Sequence, residues 1–314
     1  IKPFSSNGSV FDGYSILGSA FHPHGTHFVV ALGDQSLKCY AADHQLKSVW
    51  TQKGIQAKVV CYNSDGSLIA AACHGSLKII NSSTGQDVAN VPFFPVPTAI
   101  CFSPDGARIV CGSQDGVIYF YDLYEHIIEP AQQIMASPSK KEINCLAFSP
   151  NGGGVLVSSS SDGIDIWDSS SCLPITKLGE AHRDSSRSLC FSSDGKKLLT
   201  AAASGESNAA AIIWDTTTWT QLCQLAIPGS QGSKWVAFAP DESMVFTCTY
   251  LTDSAGKWID TLIAWKVTTT AGSQQEVLST YSLAGLIGVE CCTSIWKVVV
   301  CAAHGGIRLW DFSL

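Results

Sequence analysis

The sequence predicts an all-β chain made of seven successive units, each of four antiparallel strands. Three observations carry that prediction. An aromatic-plus-turn segment recurs as Phe21–Gly25 (FHPHG), Tyr62–Gly66 (YNSDG), Phe102–Gly106 (FSPDG), Phe148–Gly152 (FSPNG), Phe191–Gly195 (FSSDG) and Phe238–Glu242 (FAPDE), with starts 40 to 47 residues apart. A second marker recurs seven times, as a short apolar run closing on an aromatic residue or its substitute. Between the markers, apolar runs rich in Val, Ile and aromatics alternate with Gly, Asp, Asn and Pro, and no stretch carries a convincing helical period of 3.6. Repetition at this period means that a single supersecondary unit has been copied along the chain.

Taken in order, the units span 15–51, 56–93, 97–136, 142–178, 185–226, 232–282 and 284–314, the last joined by 1–12. Their second markers end at Tyr40, Ile80, Tyr121, Trp167, Trp214, Trp265 and Trp310. The fourth unit shows the pattern most plainly. Strands are expected over 143–148, 155–159, 164–167 and 173–178, separated by turns at Ser149–Gly153 and Asp162–Gly163. In the third unit, residues 124–135 are the best helix candidate, but Pro130 interrupts them and an extended connection with an irregular strand is expected. In the sixth, a b-to-c connection over 251–260 longer than its sisters is expected to present Trp258.

The seventh unit has strands near 286–291, 296–302 and 306–312, and then the sequence stops one strand short. Gly8–Phe11 could supply the missing outer strand. An unpaired sheet edge is a standing site for aggregation, so the two ends of the chain are expected to share the last sheet.

Units of this kind resemble the WD-repeat β-propeller family, whose repeat runs about 40 to 45 residues and often ends in Trp-Asp. Four copies here end in aromatic-Asp: Tyr121-Asp122, Trp167-Asp168, Trp214-Asp215 and Trp310-Asp311. The other three, Tyr40-Ala41, Ile80-Asn81 and Trp265-Lys266, are degenerate. The resemblance covers essentially the whole chain and implies a single seven-bladed propeller domain, the last blade closed by the N-terminal segment. It also implies a network within each blade, in which an Asp of the b-to-c turn meets a His before strand a and the Trp of strand c. Asp34, Asp115 and Asp162 stand in that turn, His182 stands at the His position, and Trp167, Trp214 and Trp310 stand at the Trp position. No blade shows the complete set.

Composition narrows the function. Hydrophobic residues make up 46% and charged residues 14% of 314, the reverse of a disordered chain. The longest apolar stretches are far short of the roughly 20 residues of a transmembrane helix. No basic head, apolar run and small-residue site mark a signal peptide at the beginning of the sequence. Most of the 13 cysteines lie inside apolar runs, as at Cys61, Cys101, Cys111, Cys145, Cys190, Cys248 and Cys301. They are expected to be small buried hydrophobes in a reducing cytoplasmic or nuclear setting. Neither the Cys291-Cys292 pair nor Cys172 has zinc spacing.

Little suggests chemistry. His22, His24 and His27 could be a metal tract by spacing, but they fill a turn where other units carry Ser and Asp. His74 and His304 stand beside turn glycines and suit a blade-linking hydrogen bond better than base catalysis. Gly152–Gly154 lacks the Lys and Ser/Thr of a phosphate-cradling loop. No metal, cofactor or catalytic site is expected, and the chain is expected not to be an enzyme. Nucleic acid is disfavoured, because 19 basic residues against 26 acidic ones, only four of them Arg, make no broad phosphate-binding field. The Arg-Arg pair of phosphoinositide-binding propellers is absent from the sequence, and none of the aromatic-Asp pairs continues into the Trp-Asp-x-Arg of ubiquitin-ligase adaptors.

What remains is a protein-interaction scaffold, as the resemblance implies for most relatives. The loops leading into strand a carry Lys53, Lys58, Lys140, Lys141, Arg183, Arg187 and Lys234, seven of the 19 basic residues. With Trp258 they are the expected binding residues for a protein or peptide, acidic or phosphorylated, within a multi-subunit complex. Solvated surface lysine is the competing explanation for the charges, and burial in a strand is the competing explanation for Phe93 and Phe94. The alternative function is an enzyme or small-ligand binder using the central channel.

Overall fold

The structure is a computed structural model, and it describes residues 8–11, 13–43, 45–93, 95–125, 127–178, 186–201, 209–228, 230, 232–252, 258–267, 275–283, 286–291, 297–302 and 306–311. Every regular element among them is a strand. The chain divides into two compact units, one of Ile1–Leu146 with Leu286–Leu314 and one of Ala147–Gly285.

Six four-stranded antiparallel blades are each built from consecutive strands. The first three are β2–β5 (Ile16–Phe21, His27–Leu32, Ser36–Ala41, Ser48–Lys53), β6–β9 (Ala57–Tyr62, Leu68–Cys73, Gly75–Asn81, Asp87–Phe93) and β10–β13 (Pro97–Phe102, Arg108–Ser113, Val117–Tyr124, Ile127–Met135). Next come β14–β17 (Cys145–Phe148, Val155–Ser160, Gly163–Asp168, Leu173–Leu178), β18–β21 (Leu189–Phe191, Lys197–Ala201, Ala209–Asp215, Gln221–Ala226) and β22–β25 (Ser233–Phe238, Met244–Thr252, Trp258–Lys266, Glu276–Leu283). A further sheet joins the two ends of the sequence. In it β1 (Gly8–Phe11) lies beside β28 (Gly306–Asp311), then β27 (Lys297–Ala302) and β26 (Leu286–Cys291). Val10 pairs with Ile307 and Ser9 with Arg308, so the N-terminal segment does cover the edge left by the three C-terminal strands.

Two register slips repeat from blade to blade. Strands a and b slip by one residue at Leu17, Lys58, Thr98 and Lys234, always at the second residue of strand a. Strands c and d slip at Tyr40, Ile80, Tyr121, Trp167, Trp214 and Trp265, the residues of the second sequence marker. The marker is therefore the point where the outer strand bulges and the blade takes up extra twist.

Packing is sheet on sheet within each unit. In the first, Phe28, Val30 and Tyr40 of β3 and β4 pack with Ile307 and Leu309 of β28. The opposite face of the same blade, with Val29, Ala31 and Leu37, packs against Ile69 and Ala71 of β7. Ala70, Leu77 and Ile79 in turn meet Ile109 and Cys111 of β11. Strands b and c read as near-continuous apolar runs because both their faces are covered, whereas the outer strand β5 alternates exposed and half-buried residues. In the second unit, Leu199 and Ile213 pack with Val245, Ile263 and Trp265. Each fully buried side chain of this size contributes roughly 1.5–3 kcal/mol.

One local expectation is met and another corrected. Residues 124–135 are extended rather than helical, since β13 pairs with β12 along its length with one register slip. Pro130 is tolerated because β13 is an edge strand. Trp258 does not stand in a long loop, since it opens β24 and pairs with Thr252, which leaves only 253–257 between the strands. Phe93 is buried at the end of β9, as the structural reading of that residue requires. Phe94 lies outside the described residues.

Candidate partner-binding rim

Among the described residues the approaches to several strands a are tied to b-to-c turns by backbone hydrogen bonds. Gly33 N donates to Ser15 O, Ile55 N to Gln35 O, His74 N to Gln56 O, Gln114 N to Val96 O and Ile143 N to Ser113 O. The same pattern appears in the second unit, where Tyr250 N donates to Gly232 O. These bonds place both kinds of loop at the same end of a blade, the end that sequence reasoning selected for the basic residues.

Lys53 is the last residue of β5 and is exposed. Lys58 sits in the β6 bulge, also exposed. Lys140 and Lys141 are exposed on a tight turn. That turn is built by Ser137, whose carbonyl accepts from Lys140 N and whose hydroxyl accepts from Lys141 N, both at 2.9 Å. Lys140 takes φ +55 to close it. Gly116 allows the turn to dock, since a Cβ there would lie 2.9 Å from Lys141 O. Arg187 is exposed two residues before β18. Arg183 and His182 lie outside the described residues, and the structure gives the backbone of Trp258 and Trp310 only.

Lys234 differs from the others. Its Nζ is 2.9 Å from Asp260 Oδ1 and 4.2 Å from the Tyr250 ring centre. Burial alone would lower its pKa, but bonding to Tyr250 and Asp260 outweighs this and leaves it raised. Sequence reasoning missed this pair. Lys234 and Asp260 are 26 positions apart, and only the a-to-b and b-to-c registers bring them together.

The expected network residues make the following bonds. Asp34 Oδ1 accepts from the backbone N–H and hydroxyl of Ser36, and Asp115 accepts from the Ser113 hydroxyl. Asp162 N donates to Ser160 Oγ. Trp167 Nε1 donates to Ser158 Oγ and Trp214 Nε1 to Thr200 Oγ1, each at 2.9 Å. The buried indole N–H groups thus meet a hydroxyl of strand b.

The histidine turn is a packed contact. His22 Nδ1 accepts from His24 N, and its ring lies 5.2 Å from that of Tyr62. A Cβ on Gly66 would lie 2.1 Å from His22 Nε2, so the glycine is what admits the imidazole. Among the described residues no group of three His, Cys, Asp or Glu side chains is arranged to hold a metal ion. Cys39, Cys73, Cys111 and Cys248 are buried thiols that form no disulfide.

The sequence profile of the WD domain, G-beta repeat, matches residues 94–122 and 131–168. Those two stretches of the chain are similar to WD repeats. The chain is similar to minichromosome loss protein 1 of Schizosaccharomyces pombe, 22% identical over 60% of this chain and 24% of that protein. Autophagy-related protein 18 of the same yeast is 29% identical over 54% of this chain and 49% of the relative. Coronin-7 of Pongo abelii is 31% identical over 33% and 12%. The aligned part spans less than half the length of each of these relatives. Among the described residues no helix is long and apolar enough to cross a membrane.

Proposed function

We propose that this chain is a non-catalytic WD-repeat scaffold that binds an acidic or phosphorylated segment of a protein partner, as part of a larger assembly. The sheets are read as propeller blades, and the order of the inner strands within each unit supports this, since β2 lies beside β26 and β6 and β6 beside β10 in the first, and β18 beside β22 in the second. The partner site is the rim that carries Lys53, Lys58, Lys140, Lys141, Arg183, Arg187, Lys234 and Trp258. A reducing cytoplasmic or nuclear setting belongs to the same reading and suits buried thiols such as Cys39, Cys73, Cys111 and Cys248, which form no disulfide.

One observation carries the reading. Lys53, Lys58, Lys140 and Lys141 are all exposed in a protein of net charge -7, on segments whose hydrogen bonds hold them at one end of their blades. A local positive field of this kind attracts a phosphate or carboxylate and speeds encounter. The test is capture of partners from the protein's own cells with the wild-type chain and with K140E/K141E, both checked for native melting. Loss of one specific partner from the variant, restored by lowering ionic strength for K140Q/K141Q, is the expected result. Full retention of every partner by K140E/K141E removes the basic rim as the site.

A further inference from the structure

We propose a second, separate docking element: the c-to-d hairpin of the third blade, with Tyr124 and Ile127 at its tip, inserts into an apolar cleft with a basic margin on a partner protein. The argument begins with how the other blades turn. After strand c, Asn81 accepts from the N–H groups of Ser83 and Thr84, Asp168 from those of Ser170 and Ser171, and Asp215 from those of Thr217 and Thr218. In each case the side chain caps a tight turn, ends the strand and leaves hydroxyl residues at the tip.

Blade three departs from this at one residue pair. Asp122 occupies the capping position, but its Oδ1 accepts from Arg108 Nε at 2.9 Å. Arg108 opens β11, where the equivalent residues in the neighbouring blades are His27, Leu68 and Val155. With the cap drawn sideways, β12 runs on through Leu123 and Tyr124, and pairing continues to Leu123↔Ile128 and Tyr124↔Ile127. The extension falls between the two stretches, 94–122 and 131–168, that match the repeat.

The extension carries the wrong residues for a solvated turn. Tyr124 and Ile127 are cross-strand neighbours and are 59% and 60% exposed. Scattered apolar residues on a surface need no explanation, but an adjacent aromatic and β-branched pair on a projecting tip does. Glu125, at φ +44, and Glu129 are exposed beside them. A Tyr with an aliphatic neighbour supplies the large area of an interface anchor, and two flanking carboxylates select a positively charged surround. This surface requires neither the basic rim nor its ligand.

The experiment places a photo-crosslinking phenylalanine at position 124 in the full chain, in its own cells, and at Val49, an apolar residue of similar exposure on another blade, as the control. The adduct protein is identified, purified and titrated against the wild type, Ile127→Ser, Glu125→Lys/Glu129→Lys and K140E/K141E. The expected result is one protein crosslinked from 124 and absent from 49, bound about ten-fold or more weaker by Ile127→Ser. The Glu double variant is expected to bind more weakly and with reduced salt dependence, while K140E/K141E is unchanged. The proposal is overturned by absence of an adduct, by the same adduct from position 49, by an adduct with a second copy of the chain, or by unaltered binding to Ile127→Ser. An effect of K140E/K141E on this partner would assign it to the rim and also overturn the separate element.

Discussion

Trp265 Nε1 donates to Thr247 Oγ1 at 3.0 Å, across β24 and β23 and away from water. The hydroxyl is itself part of a chain, because Thr247 and Thr249 lie 3.1 Å apart and Thr249 and Ser233 2.7 Å apart. Trp167 with Ser158 and Trp214 with Thr200 repeat the first link. A blade can therefore bury the largest side chain of its repeat only if strand b offers an acceptor at that point.

Replacing Thr247 by Val keeps the shape and removes the acceptor. The indole N–H and Thr249 then lose a buried partner, which costs about 1–3 kcal/mol. Thr247→Ser, which keeps the oxygen, is expected to stay within about 1 kcal/mol of wild type. Urea unfolding with tryptophan fluorescence measures both, and equal midpoints for Val and Ser would show that the hydrogen bond contributes nothing.

Two glycines separate backbone strain from packing. Gly54 and Gly85 both have positive φ, +75 and +69. A Cβ on Gly54 meets nothing within 4 Å, whereas one on Gly85 would lie 2.6 Å from the ring of Trp50, whose Nε1 donates to Ser82 O. Gly54→Ala is expected to cost about 1–2 kcal/mol from the left-handed backbone alone. Gly85→Ala adds the displacement of Trp50 and is expected to cost about 1–3 kcal/mol more. Equilibrium unfolding of the two variants side by side decides it, and equal losses would mean that Trp50 moves freely.

These residues also show what was legible in the sequence. The strands and their turns could be read because period-2 alternation and turn chemistry are local, and the third strand of the fourth unit, expected over 164–167, is found as Gly163–Asp168. The pairing of β1 with β28 could be read by counting strands, since a missing strand at one end and a spare one at the other leave few choices. The Thr247 acceptor, the Lys234–Asp260 pair and the Arg108–Asp122 pair could not. Each depends on which residues a bulge brings opposite each other, and a slip of one position reverses the facing of every side chain beyond it. Trp258 was misplaced for the same reason, because sequence alone does not show that β23 continues to Thr252.

Stability should fall with acid in two separate windows. Burial, and then the neighbouring His24 and His27, pull the pKa of His22 below its ordinary value of 6.5. The hydroxyl and backbone of Ser67 hold Asp65 below 3.8, those of Ser103 and Ala107 hold Asp105 there, and Lys196 N and the Ser192 hydroxyl hold Asp194. In both cases the folded pKa lies below the unfolded one, so the unfolded chain takes up protons first. The stabilisation is complete above the unfolded pKa and is lost as pH falls through the folded one. One decline is therefore expected just under pH 6.5 and another under pH 3.8. His22→Gln should remove the first and leave the second, as read from urea midpoints between pH 7.5 and 3. An unchanged upper window in that variant would assign it to another group.

Lys234 must be separated from the rim cations before any binding experiment is interpreted. Its carboxylate partner Asp260 is 7% exposed, so removing the ammonium leaves a negative charge with little access to water. Breaking a buried pair from one side costs about 3 kcal/mol, far more than the pair itself contributes, because the orphaned ion carries the penalty. Lys234→Met should therefore destabilise the second unit by about that amount, and Lys234→Met with Asp260→Asn should recover a large part of it. K140E/K141E changes two exposed side chains and should remain within about 0.5 kcal/mol of wild type. A four-variant cycle in urea measures the coupling. Additive losses would mean that the 2.9 Å contact has no energetic content, and Lys234 could then be treated as a rim charge like Lys140.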